Sequence, residues 1–139
     1  MARRKETIKL VEQEDDCGCV VACIAMVLGR TYQSVRADWG NDFTTEGVDL
    51  EQMMNYLGDH GCSIVYKAMR YYRHKDFARE AMLTPFAPIH IVRVLPNCDS
   101  KTGHVVVMDA EGKIYCPGGF SDEEIRRAYA VTEVCGIYK

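Results

Sequence analysis

From residue 19 the chain reads Cys-Val-Val-Ala-Cys-Ile-Ala-Met-Val-Leu, ten residues without a charge, and then Gly29. A helix that is apolar on every side is covered on every side. Gly29 is a natural stop, because glycine takes the left-handed conformation that ends many helices. The pattern therefore predicts a buried central helix over 19–28, wrapped by the rest of the chain. Asp15 and Asp16 stand before it as candidate N-cap residues. Residues 1–12 read as an extended lead-in, with room for a short strand at Ile8 and Leu10.

Two more helices follow. Thr31 to Trp39 places Val35 and Trp39 on one face. Gly47 to Leu57 carries Val48, Leu50, Met53, Met54 and Leu57 at helical spacing, and Gly61 ends it. Cys62 to Lys67 alternates and is β-branched, which predicts a strand. A further helix is expected over Lys75–Met82. Beyond it the pattern changes. Pro88–Leu95 and Gly103–Met108 read as strands, Asp109–Gly112 as a turn, and Lys113–Cys116 as the returning arm of a hairpin. Ser121-Asp-Glu-Glu124 is a capping box that opens a helix to about Tyr129. Val131–Tyr138 is the last strand. Helices first and an antiparallel sheet second define an α+β fold. A length of 139 residues fits one domain over 1–139.

Composition narrows the partners. Hydrophobic residues make up 47% and charged residues 27%, with a net charge of -3. The one basic run, Arg3-Arg4-Lys5, lies at a chain end, so nucleic acid is not an expected partner. The start lacks the apolar core of a secretory signal, and the longest apolar run is too short to cross a bilayer. The expectation is a cytoplasmic chain with no membrane partner. Seven cysteines without a signal peptide argue against a disulfide framework, and the lack of any Cys-x-x-Cys pair argues against structural zinc. No cofactor and no metal are expected.

The informative stretch is Gln13-Glu-Asp-Asp-Cys-Gly-Cys19, running straight into the apolar helix. A helix N-terminus favours a thiolate through its unpaired backbone N–H groups. The same groups can hold an oxyanion. Gln13, six residues before Cys19, offers a side-chain amide as a second donor. The base must then be a histidine from a distant segment. His104 opens a Val-rich strand after Gly103, at a sheet edge that can face the helix start. His60 sits at a helix end, where it complements the dipole. His74 lies in a polar run, and His90 falls within strand alternation. Cys17 is the rival nucleophile, but the residue six before it is Val11, which has nothing to donate.

Gln13-Glu-Asp-x-x-Gly18-Cys19-x-x-Ala22-Cys23-x-Ala25-Met26-x-x-Gly29 resembles the active-site segment of the bacteriocin-processing peptidases. These papain-like enzymes cut leader peptides after a double glycine, and similar stand-alone bacterial and phage proteins exist. Gly103-His104-Val-Val-Val, followed by an acidic turn and Ile-Tyr-x-Pro117, resembles that family's histidine segment. The resemblance implies a papain-like cysteine peptidase fold, with a central buried helix packed on an antiparallel sheet. It implies Cys19 as nucleophile, His104 as base and Gln13 as oxyanion donor. Two positions differ. Val20 stands where the family has glycine. Cys116 stands at the third-member position, where the family has an aspartate that orients the imidazole.

The function expected from these residues is a cysteine peptidase acting on a peptide or protein through a Cys-His dyad. A deconjugase or acyl transferase would use the same dyad. The alternative is a weakened peptidase fold that binds peptides without cutting them, and Cys116 favours that one.

Overall fold

The computed structural model describes residues 7–40, 47–68, 87–95, 103–118, 120–127 and 130–139. Helix α1 spans Cys19–Leu28, with Val20 to Val27 buried throughout. Its limits are those the apolar run predicts. Gly29 closes it in the left-handed conformation at φ 67°. Helix α2, Tyr32–Trp39, is capped by the Thr31 side chain, which accepts from the Ser34 N–H. Helix α3, Leu50–Asp59, begins three residues later than expected because Asp49 and Gln52 form a capping box there. It buries Leu50, Met53 and Leu57.

Five strands follow: β1 (Ser63–Ala68), β2 (Ile89–Leu95), β3 (His104–Asp109), β4 (Ile114–Tyr115) and β5 (Ala130–Tyr138). A short helix α4, Asp122–Arg126, precedes β5 and is opened by the Ser121 capping box. It stops short of Tyr129, with Arg127 already out of the helix. The strands form one antiparallel sheet in the order β1-β5-β2-β3-β4. The last strand thus lies inside the sheet, between β1 and β2. The helix expected over Lys75–Met82, and His74 and Cys98, fall outside the described residues. Residues 7–13 form neither a helix nor a strand.

The core has two parts, one on each face of the sheet. Ile89, Ile91, Val105, Val107, Cys135 and Ile137 pack with α1, α2 and α3. Val92, Val94, Val106, Met108 and Val134 pack on the other face, with Ile125 of α4. Each fully buried Val, Ile or Leu contributes roughly 1.5–3 kcal/mol. Helix α1 therefore lies between the other helices and the sheet, as an all-apolar surface requires. No described helix is long and apolar enough to cross a membrane.

One local expectation is overturned. Neither Asp15 nor Asp16 caps α1. Gly18 holds the N-cap position without a side-chain cap. The Asp15 carboxylate instead accepts from Tyr32 Oη at 2.7 Å and from Arg36 Nε at 2.9 Å. Those two partners hold it below the usual carboxylate range. Its carbonyl accepts from the Gly18 N–H at 3.0 Å. Asp15 thus ties the turn before α1 to α2.

This tie explains Gly18. A Cβ there would overlap Tyr32 Oη and stand 3.0 Å from the Asp15 carbonyl. Gly18→Ala should cost about 2 kcal/mol in urea unfolding. Tyr32→Phe removes the obstructing oxygen. In the Tyr32→Phe background the same Gly18→Ala change should cost measurably less, and equal costs in both backgrounds would exclude this clash.

Candidate active site

Cys19 is the first residue of α1, and His104 is the first residue of β3. β4 pairs only with Val107 and Met108, so among the described residues the start of β3 has no strand on its outer side. Helix α1 packs on β3, which sets Cys19 near Val105, the residue after His104. Val105 follows His104, and its N–H is directed at the Cys19 sulfur. One helical turn on, the Cys23 thiol donates to the Val105 carbonyl at 3.5 Å. Cys19 and Val105 line a cleft of about 1110 Å³. Trp39, Val48 and Met54 also line it.

His104 is hydrogen-bonded to Cys116. Its Nε2 lies 3.1 Å from Cys116 Sγ. The Cys116 thiol donates to the Gly118 carbonyl at 3.4 Å. With its hydrogen committed there, the sulfur is left to accept from Nε2–H. This network assigns the tautomer: Nε2 carries the proton and Nδ1 keeps its lone pair. The Phe120 ring lies against the imidazole, centroids 5.0 Å apart and tilted by 59°.

Burial dominates the electrostatics. It raises the Cys19 thiol above its ordinary value of 9.0, against backbone N–H groups from Val105, Val20 and Cys19 itself that lower it. The expectation that the helix start would lower this thiol is therefore reversed: the donors are present, but desolvation outweighs them. Burial also lowers the His104 imidazole below 6.5. It raises Cys116, against N–H groups from Gly118 and Phe120. At neutral pH the three groups rest uncharged. Cys23 is fully buried and raised well above the ordinary thiol value.

Gln13 lies beside the same loop. Its N–H donates to the Pro117 carbonyl at 2.8 Å. Its amide donates to the carbonyls of Asp15 at 3.0 Å and Asp16 at 3.1 Å. Its amide oxygen is buried with no partner among the described residues. Cys17 also lines the cleft but stands outside α1. Of the other histidines, His60 is bonded through Nδ1 to the Tyr56 carbonyl at 2.8 Å, at the end of α3. His90 is fully buried in β2. Asp109 closes the hairpin turn by accepting from the N–H groups of Glu111 and Lys113, both at 2.9 Å, far from His104. Among the described residues no three His, Cys, Asp or Glu side chains could hold a metal ion. Sequence reasoning missed Phe120 and the charged residue Arg93 in the cleft. Arg93 did leave a signal, as a charge inside an otherwise apolar strand.

No family model matches the chain, and no curated protein matches its sequence. Solved structures do. One is a double glycine motif protease from an AMS/PCAT transporter, crystallised in complex with the leader peptide. It superposes with a TM-score of 0.63 at 17% identity, over 97% of this chain and 94% of that one. With its helices packed on a five-stranded antiparallel sheet, the chain has the α+β fold of a papain-like cysteine peptidase.

Proposed function

We propose that the chain is a thiol hydrolase that cleaves a peptide or Gly-ended amide bond, with Cys19 as nucleophile and His104 as base. The observation that carries this reading is the meeting of a helix start and a strand start. The N–H of Val105, next to His104, favours the Cys19 thiolate, while Cys116 Sγ lies 3.1 Å from Nε2 of the imidazole. The leader peptide bound by the structural neighbour supports a peptide as occupant of the cleft. On this reading the chain is a relative of the bacteriocin-processing peptidases, acting in the cytoplasm.

The steps follow from the groups present. Nδ1 of His104 takes the Cys19 proton as the sulfur attacks the carbonyl carbon. The developing oxyanion is held by free N–H groups of the first turn of α1. Gln13 adds a donor by turning its amide away from the Asp15 and Asp16 carbonyls. Its unpartnered oxygen means that the resting arrangement is incompletely satisfied. The imidazolium then protonates the departing amine, which leaves an acyl-enzyme. Water, deprotonated by His104, releases the acid and restores the thiol.

The second reading is a peptide-binding module on the same fold. It is favoured by the neutral thiol at Cys116 and by the uncharged resting dyad. Mass spectrometry of Gly-Gly-containing peptides incubated with the protein separates the two. Cleavage that disappears in Cys19→Ala supports the hydrolase. Binding without cleavage in the unaltered protein supports the module.

The pH dependence has a defined sign. The thiolate is the reactive form, and the Cys19 pKa is raised. Alkylation of Cys19 by iodoacetamide should therefore be slow at pH 7, climb about tenfold per pH unit, and level off only above pH 9. Adducts should form on Cys19 and not on buried Cys23. Modification of Cys17 that persists in Cys19→Ala would favour the rival register.

Cys116→Asp should move this profile. A carboxylate beside Nε2 stabilises the imidazolium and with it the thiolate. The alkylation rate at pH 7 should rise about tenfold, equivalent to about 1.4 kcal/mol. A folded variant with an unmoved profile would mean that position 116 does not act on His104.

A further inference from the structure

The sheet side of the cleft carries one charge that the chemistry above does not use. Arg93 lies on β2, on a face where Ile89 is fully buried and Ile91 is 1% exposed. Strand alternation would put another apolar side chain there. Instead a guanidinium sits at the cleft, beside Gly103 and Val105, 30% exposed. Arg93 pairs with Val105 across β2 and β3. Val105 lines the same cleft as Cys19, and its N–H favours the Cys19 thiolate.

Two local features hold Arg93 in place. The β5 strand has a bulge here: Arg93 pairs with Glu133 and Val94 with Val131, which leaves Thr132 between them. Bulges often re-aim a side chain next to an active site. The Thr132 hydroxyl accepts from Arg93 Nη1 at 2.9 Å and donates to the Arg93 carbonyl at 3.4 Å. Gly103 supplies the seat, since a Cβ there would stand 2.6 Å from Nε and 2.7 Å from Cζ.

The ion pair on Arg93 is loose. Glu133 Oε1 is 3.5 Å from Nη1, and the other Glu133 oxygen accepts from the Tyr66 hydroxyl at 2.7 Å. That bond pushes the Tyr66 phenol up to about 12. A loose, partly exposed pair adds little stability, so tying strands together does not account for Arg93. Among the described residues Nε and Nη2 have no acceptor. That edge of a guanidinium grips a carboxylate with two parallel hydrogen bonds.

We propose that Arg93 docks a carboxylate of the peptide in the cleft, close to the bond presented to Cys19. The carboxylate belongs to an acidic side chain or to a free chain terminus. The inference rests on the cleft being the substrate site. Asp16, Asp49 and Glu51, which also line the cleft, are exposed and screened by salt, whereas the Arg93 fork acts at contact. The preference should therefore persist at physiological ionic strength.

The test compares alkylation of Cys19 by iodoacetate and iodoacetamide, which differ in a carboxylate against an amide. Their rate ratio is taken within each variant. It should fall about tenfold in Arg93→Gln. Arg93→Lys, a charge without the fork, should keep part of it. Glu133→Gln, which removes the competing carboxylate, should raise it. A ratio that moves in neither Arg93→Gln nor Glu133→Gln overturns the proposal. Peptide chloromethyl ketones differing only by Glu or Gln separate the two sources. Arg93-dependent preference for Glu assigns a side chain. An Arg93-dependent iodoacetate preference without it assigns a chain terminus. If Cys19 takes neither reagent, the hydrolase reading fails, and docking is read from the Arg93 Nε–H resonance. That signal should shift with the amide of N-acetylglutamate but not with its glutamine analogue. No shift with either overturns the proposal.

Discussion

Everything in this fold follows from the need to cover α1. A ten-residue helix with no polar face cannot sit on a surface. It must have packing partners all round, and α2, α3 and the sheet supply them. Only its ends can reach solvent. Gly29 closes one end. The other end opens into the cleft, and the residue there is Cys19. Covering the helix thus places a thiol at the seam between the helical layer and the sheet. The unpaired N–H groups of the first turn face the same seam. The site is a by-product of how a fully apolar helix is buried.

That placement has an electrostatic consequence. The packing that fixes Cys19 also strips water from it. A thiolate loses more by desolvation than it gains from three backbone donors. The imidazole is subject to the same effect with the opposite sign, because burial disfavours its cation. Desolvation therefore pushes both groups toward their neutral forms. A carboxylate near His104 would oppose this, and Cys116 does not.

The elements that were legible in the sequence are those set by local pattern. The limits of α1 follow from the apolar run and Gly29. The β3–β4 hairpin follows from the acidic turn, and the start of α4 from Ser121 and Glu124. Cys19 and His104 were nameable because a helix start and a Gly-His strand start are local signals. Non-local features were not legible. Asp15 reads as a cap, yet its carboxylate goes to Tyr32 and Arg36, 17 and 21 residues away. No periodicity tells that β5 inserts between β1 and β2. The bulge at Thr132 depends on that insertion, because only then do Arg93 and Glu133 face each other. The direction of the Cys19 shift was misjudged for the same reason. The helix start is visible in the sequence, but the depth of burial is set by distant segments.

An acidic third member beside a catalytic imidazole has two roles that are usually inseparable. It selects the tautomer, and it stabilises the charge that appears when the imidazole takes a proton. Cys116 separates them. Its hydrogen is directed to the Gly118 carbonyl and its sulfur faces Nε2, so the tautomer is held with Nδ1 unprotonated. No charge is supplied. A nucleophile in such a site starts as a thiol, not as a preformed thiolate, and proton transfer to His104 must accompany attack. The barrier then includes the cost of creating an imidazolium in a desolvated setting. The transition state can offset that cost only through charge arriving with the substrate or through the N–H groups of the helix start. On the proposed reading, the orienting partner is present at position 116 and the charge is not. Under the proposed function, the charge at position 116 is therefore what separates a slow hydrolase from a peptide-binding module on the same fold.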